Sequence, residues 1–349
     1  MINYNDLFQK KVFGISQIEK EKYFFENIKK LSNYHKKNCK EFNLIANSLF
    51  LKKKQKLLED LPFLHVNVFK DRNLVSVEKE IKIKTYNSSG TSGANLSKIN
   101  LDRYTSLLQS RTLNQIIMSV IKKKRKKIYF VESKKNIHKL DNTARGAAIN
   151  GFRQIADFSE FLLDSNYKIN YKILDKIEDD NNFIFFGFTS LIWEKFLYEL
   201  IKKNKKYNFK NSFIFHGGGW KKLENIKLKK KRFYYLLNKH LGINKIYDYY
   251  GMIEQTGSIF LECEHGFYHP SIFSEILIRN NNLETCKIGE IGIIQVCSLL
   301  PVSYPGHNIL TEDMGAIIGM DNCKCGRNGK FFKVYGRLPR AEIRGCSNV

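Results

Sequence analysis

Long apolar runs are missing from this chain: no stretch comes near the 18 apolar residues that mark a membrane-crossing helix. The N-terminal segment MINYNDLFQKKVFG also lacks the basic-then-apolar layout of a secretory signal. Seven cysteines, an odd number in 349 residues, do not suit a disulfide framework. A reducing cytoplasm is therefore expected, with the thiols left for metal or for chemistry. No internal repeat, low-complexity linker or Pro/Gly/Ser-rich boundary divides the sequence, so any domain boundary is soft. Acidic residues are scarce beside basic ones, 34 against 59, for a formal charge of +25. That excess raises a nucleic-acid reading. The lysines, however, are spread through runs such as Lys52 to Lys54, Lys122 to Lys127 and Lys227 to Arg232, with few arginines among them. Such runs suit solvated faces, so no specific nucleic-acid role is expected, while attraction to an anionic partner or cofactor stays open.

What is present is a globular composition, 43% hydrophobic and 13% aromatic. The first 80 residues place apolar side chains at helical spacing among charges, as in DLFQKKVFGISQIEKEKYFFENIKKLSNYHKKN. From Ser88 short apolar runs alternate with amphipathic ones: KKIYFVES, a helical DNTARGAAINGFRQIADFSEFL, NNFIFFGFTS, LIWEKFLYELIKKN, NSFIFHGGGW, a helical KKKRFYYLLNKHLG, and KIYDYYG. Strands alternating with helices predict an α/β fold with mainly parallel sheet layers. Beyond Gly257 the texture turns β-rich, in SIFLECE, SEILIRN, GEIGIIQVCSL and KFFKVYGR. The expected divisions are a helical segment over 1–80, an α/β body over 81–257 and a smaller β-rich portion over 258–349.

The stretch Ser88-Ser89-Gly90-Thr91-Ser92-Gly93, with Lys98 five positions on, departs from its surroundings. Glycines let successive N–H groups converge, hydroxyls add donors and Lys98 adds charge, all of which suit a polyphosphate. It is neither a Walker loop nor a GxGxxG turn, and a flexible surface linker is the plainer alternative. Four further segments sit at apparent strand ends or tight turns: His216-Gly217-Gly218-Gly219-Trp220, Asp248-Tyr249-Tyr250-Gly251-Met252-Ile253-Glu254-Gln255, Thr311-Glu312-Asp313-Met314-Gly315 and Tyr335-Gly336-Arg337. Three glycines leave room for a flat ring, a tyrosine offers a stacking face, and a carboxylate suits Mg²⁺ or a pair of ribose hydroxyls.

In this order and at these separations the segments resemble the acyl-adenylate-forming enzymes. Within that superfamily the chain is similar to the acyl-protein synthetases of bacterial bioluminescence, the long-chain-fatty-acid–luciferin-component ligases. NSSGTSGANLSKI, FHGGGWKK, YGMIEQTGSIFLEC, TEDMG and GRLPRAEIRGCS carry the resemblance, from about Tyr86 onward. It implies the N-terminal body of an adenylate-forming enzyme that activates a fatty or other carboxylic acid with ATP and Mg²⁺. It further implies that Ser88 to Gly93 wrap the ATP phosphates with Lys98 nearby, that Gly217, Gly218 and Gly219 border the adenine, and that Tyr250, beside Gly251, stacks on it. Glu254 would ligate Mg²⁺, and Asp313 and Arg337 would hold the ribose. Two departures stand out. Ile253 occupies the place where many of these enzymes have a threonine, leaving Gln255 or Thr256 to compensate. The superfamily's usual C-terminal domain, with its catalytic lysine, is expected to be absent. The resemblance answers the second departure with Arg344-Gly345-Cys346-Ser347, whose cysteine in that family accepts the acyl group before a partner reductase takes it. Chemically, Arg344 can favour the thiolate and Gly345 in a short tail gives mobility, although an incidental exposed thiol is the alternative.

Cys263 and His269, with Cys323 and Cys325, could close a structural zinc site, and some related ligases of the phenylacetate type show a similar arrangement. His265 competes with His269 for the fourth position, and ordinary free cysteines are the alternative. Cys39, Cys286 and Cys297 suggest packing only, and most rings of Phe183 to Phe188 suggest core. Competing functions are an acyl- or aryl-CoA or carrier ligase in a surface-polysaccharide or secondary pathway, and a non-catalytic nucleotide- or acyl-binding subunit.

Overall fold

The structure is a computed structural model and describes residues 2–50, 54–88, 96–122, 125–178, 180, 182–219 and 228–338. The described residues divide into two units, one of residues 2–88, 96–119 and 251–338, the other of residues 120–250.

In the second unit the short apolar runs become five parallel strands in the spatial order Ala156–Leu163, Lys126–Ser133, Ile184–Phe188, Phe213–Gly217 and Lys245–Tyr250. Taken in chain order this is 2-1-3-4-5, a doubly wound arrangement. Ile184–Phe188 and Phe213–Gly217 are buried at every position, which is why they read as unbroken apolar runs rather than alternating ones. Helices return the chain between strands: Ala144–Ile155, then the consecutive pieces Thr189–Leu191, Ile192–Leu197 and Tyr198–Lys202, and Lys230–Leu241. The expected single helix over DNTARGAAINGFRQIADFSEFL is corrected here. It stops at Ile155, and Ala156–Leu163 is a strand. Pairing with Lys126–Ser133 and stacking of Phe161 on Phe130, with centroids 5.1 Å apart, override the local helical pattern.

The first unit brings the N-terminal helices and the β-rich segment together. Ser16 caps the helix Gln17–Asn38 in a reciprocal capping box with Glu19, and Lys36 and Lys37 complement its C-terminal end. Phe24, Ile28, Leu31 and His35 recur at helical spacing and form its buried stripe. Phe24, Ile28 and Leu31 share one core with Phe8, Phe273, Leu277 and Leu299. The strands Ser274–Arg279, Gly292–Ser298, Asn308–Met320, Lys330–Arg337, Tyr268–His269 and Phe260–Glu262 follow one another antiparallel. Leu64–His65 adds a parallel pairing onto Asn308–Met320.

Ser274–Arg279 is buried along its whole length although it carries Glu275 and Arg279. Glu275 is fully enclosed, and its carboxylate lies 3.7 Å from Lys20 Nζ and 3.9 Å from Lys330 Nζ. It also accepts the Gln17 amide at 3.0 Å and the Ile276 N–H at 2.8 Å. Burial pushes this carboxyl up, but Lys20, Lys330 and the two hydrogen bonds outweigh it and hold the group below the usual carboxylate range. Lys20 donates further to the Pro270 carbonyl at 3.0 Å, and Lys330 to that of Ile276 at 3.2 Å. Replacing Glu275 by Ala strands the buried Lys20 ammonium and leaves Lys330 with only Glu21, 3.5 Å away, a loss expected to cost about 3–5 kcal/mol. Urea titration of Glu275→Ala against wild type checks this, and a loss under about 1 kcal/mol would show the cluster to be peripheral to stability.

Candidate functional site

Three in-register parallel strands order the polar groups at one end of the second unit's sheet. His216 stands beside Gly187 on one side and Asp248 on the other, and Gly217 beside Phe188 and Tyr249. Thr189 follows directly, and its Oγ1 lies 2.9 Å from His216 Nδ1 and 3.0 Å from the Gly217 carbonyl oxygen. His216 Nε2 is 3.1 Å from the Tyr234 hydroxyl, and Asp248 accepts from Lys230 Nζ at 2.7 Å. Lys230 and Tyr234 reach the group from one face of the same helix, four residues apart. Burial is the main influence on the imidazole; Asp248 opposes it and Lys230 adds to it, and the ring's pKa falls to about 4. His216 is therefore neutral at pH 7. Nearby, Arg145 and Glu132 form a second buried ion pair, with Arg145 Nε donating at 2.6 Å.

Gly217, Gly218 and Gly219 differ in what they require. A Cβ on Gly217 would lie 2.6 Å from the Tyr249 ring, so on that side the room a flat ring would use is already filled by the chain's own tyrosine. Tyr249 in turn stacks on Phe186, with centroids 6.3 Å apart and an interplanar angle of 12°. Gly218 and Gly219 have φ of +95° and +75°, and a Cβ on Gly219 would meet nothing within 4 Å. Tyr250 closes the next strand and is half-buried. Phe183 to Phe188 are buried in the sheet's core, as expected for most of those rings.

In the first unit, the hairpin of Lys84–Asn87 and Lys98–Leu101 carries the hydroxyl- and glycine-rich segment. Ser88 and Ser97 close its neck with two hydrogen bonds, Ser88 N–H to the Ser97 carbonyl at 2.9 Å and Ser97 N–H to Ser88 Oγ at 3.0 Å. Lys98 is exposed, opposite Asn87. Ser89 to Gly93 lie outside the described residues, as do Trp220 and Arg344 to Ser347, including Cys346. Glu254 is buried on the short turn Ile253–Gln255 beside Gly251, and its backbone carbonyl accepts the Tyr304 hydroxyl at 2.8 Å. The Gln255 amide donates to the Val296 and Gly306 carbonyls at 3.1 and 2.9 Å, and Thr256 Oγ1 to the Ile253 carbonyl at 2.7 Å. Both side chains beside the departing Ile253 thus brace the turn. Asp313 and Arg337 face each other across adjacent strands, with Oδ1 to Nε at 3.5 Å. TEDMG lies within the 13-residue strand Asn308–Met320 rather than in an isolated turn.

The ligating atoms of Cys263, His269, Cys323 and Cys325 all lie within 4.8 Å of one another. Two tight turns present the thiols, with Gly266 N–H bonded to the Cys263 carbonyl and Gly326 N–H to that of Cys323. Cys263 and Cys323 sulfurs are 4.0 Å apart, and Cys325 Sγ is 3.4 Å from His269 Nε2. His265 is exposed and outside the group, so the pleat of Tyr268–His269 selects His269.

A sequence model of the family described as "Acyl-protein synthetase, LuxE" matches residues 2–349. The chain belongs to that family. It is a ligase that uses ATP. No curated protein sequence gives a significant match. Among solved structures the chain is similar to an open conformation of 2-hydroxyisobutyryl-CoA ligase in complex with 2-HIB-AMP and CoA, with a TM-score of 0.72 at 14% identity over 96% of this chain and 79% of that one. It is also similar to the luciferase-like enzyme of the nonluminescent mealworm Zophobas morio, with a TM-score of 0.51 at 15% identity over 76% and 60%. A long-chain-fatty-acid-CoA ligase of Archaeoglobus fulgidus gives 0.50 at 12% identity over 76% and 53%. These likenesses bear out the expected fold, an adenylate-forming body with parallel and β-rich parts.

Sequence reasoning assigned no role to Thr189, Lys230 or Tyr234 and quoted His216 and Asp248 only as flanks of motifs. The one signal within reach was the position of Thr189, His216 and Asp248 at the ends of consecutive apolar runs. Gly217→Ala is expected to drive its Cβ into Tyr249 and cost about 1–3 kcal/mol. Urea titration measures this, and the penalty should largely vanish in a Tyr249→Ala background; an undiminished penalty there would place the strain elsewhere.

Proposed function

We propose that this family member activates a carboxylic acid, a long-chain fatty acid foremost, as its acyl-AMP and then carries the acyl group on Cys346 as a cytoplasmic enzyme. What supports the reading is family membership running through residues 2–349, a range that includes Cys346. In the first step a carboxylate oxygen of the acid attacks the α-phosphorus of ATP. The bond from that phosphorus to the leaving oxygen breaks, and pyrophosphate departs. In the second, the Cys346 thiolate attacks the acyl carbonyl carbon, the bond to AMP breaks, and a thioester remains. A partner acyl reductase, with a hydride donor of its own, would take the acyl group to an aldehyde and free the Cys346 thiol.

The protein's share of the first step is positioning and charge neutralisation. Ser88 to Gly93 and Lys98 would hold the phosphates, and Gly217 to Gly219, Tyr250 and Gly251 the adenine. Asp313, paired with Arg337 at 3.5 Å, would accept from the ribose hydroxyls. Glu254, a buried carboxylate on a braced turn, has the oxygen chemistry that suits Mg²⁺, which would neutralise phosphate charge when bound. Cys263, His269, Cys323 and Cys325 would hold structural Zn²⁺. Their donors fit, since a tetrahedral site with Zn–S near 2.3 Å sets sulfurs about 3.8 Å apart, and the Cys263–Cys323 separation is 4.0 Å.

Incubation with ATP, Mg²⁺ and a panel of radiolabelled acids is expected to give a hydroxylamine-labile label on the wild type that Cys346→Ser lacks. Label that survives in Cys346→Ser would remove the acyl-cysteine step, and turnover that needs CoA instead would favour the CoA-ligase reading. Elemental analysis of the purified chain should find about one zinc per chain, lost in Cys323→Ser with a lowered melting temperature. A metal-free wild type that melts unchanged with added Zn²⁺ would leave these as free thiols.

A further inference from the structure

We propose that His216 is a positioning residue of the reaction, holding the Gly217–Gly219 turn through the Thr189 hydroxyl; the proposal rests on the nucleotide role given to that turn above. The hydrogen-bond directions follow from counting protons. A carbonyl oxygen only accepts, so at 3.0 Å the Thr189 hydroxyl donates to Gly217. Its single hydrogen is then spent, and toward His216 Nδ1 at 2.9 Å the same oxygen must accept. The imidazole therefore carries its proton on Nδ1 and leaves Nε2 bare to accept from the Tyr234 hydroxyl at 3.1 Å. Asp248 favours the same tautomer, with a carboxylate oxygen 3.7 Å from Nδ1 and its other oxygen taken by Lys230.

The Gly217 carbonyl and the Gly218 N–H belong to one planar trans peptide. Fixing the carbonyl toward Thr189 thus aims the Gly218 N–H away from the network, as the turn enters its two left-handed glycines. His216 is fully buried and Asp248 nearly so. Neither reaches a substrate, and the effect is carried by the orientation of one peptide plane.

The test is calorimetric binding of MgATP to the full chain, with thermal melts in parallel. Thr189→Val keeps the shape and removes the hydroxyl. His216→Asn returns an amide N–H near the Nδ1 position, whereas His216→Gln places its amide near Nε2. Thr189→Val and His216→Gln are expected to weaken MgATP binding by about tenfold, the worth of one hydrogen bond, while His216→Asn stays within about threefold of wild type. A packing role alone would weaken the Asn and Gln variants alike, and that result overturns the proposal. So does a Thr189→Val that binds MgATP like wild type, a comparison that stands even if both His216 variants fail to fold. A wild-type chain that binds no MgATP would overturn the nucleotide reading and this proposal with it.

Discussion

A carboxylate enclosed between two ammonium groups sets the terms for the larger unit. Ser274–Arg279 is buried on both faces, so its charged residues cannot turn outward as they would on a half-exposed strand. Glu275 is tolerated there because Lys20 and Lys330 come to it from a helix and another strand, and Arg279 because Gln295 and the carbonyls of Leu283 and Glu59 accept its protons. The same cluster locates the thiol quartet. Lys20 ties down Pro270, the neighbour of His269, and Asp321, two residues before Cys323, accepts from the backbone of Gln17 and Gly329. Charge pairing thus fixes which helix lies on which strand, where apolar packing alone would accept several.

The parallel unit is organised by register instead. Gly187, His216 and Asp248 stand abreast, and the His216 network descends from this alignment. Tyr249 fills the space beside Gly217, so that glycine is required by contact, whereas Gly218 and Gly219 are required by conformation. Neighbouring glycines with one appearance in sequence therefore answer to different physics.

Much of the fold was legible because buried parallel strands announce themselves as short apolar runs between amphipathic stretches, as IFFGF and FIFHG do. Ala156–Leu163 was not, since ADFSEFLL continues a helical pattern and becomes a strand only by finding Lys126–Ser133. The thiol quartet was legible by residue type, but the choice between His265 and His269 is made by strand pleat. Asp313 and Arg337 were each visible, and their pairing is a matter of antiparallel register across 24 positions. The His216 network was hard to read for the same reason: Thr189, His216, Asp248 and the Lys230–Tyr234 pair lie on separate elements, and only parallel register brings them together.

Among the described residues, the buried carboxylates at the end of the parallel sheet are each paired with a cation. Asp248 is matched by Lys230 and Glu132 by Arg145, and the imidazole between them is uncharged at neutral pH. These paired groups contribute dipoles and steric shape but little monopole. Long-range attraction for an anion comes from other charges, in a chain with an excess of 25 positive charges. At physiological ionic strength such a field is screened within about 8 Å. Salt governs how fast an anion arrives, and it leaves the dipoles at the strand ends unchanged.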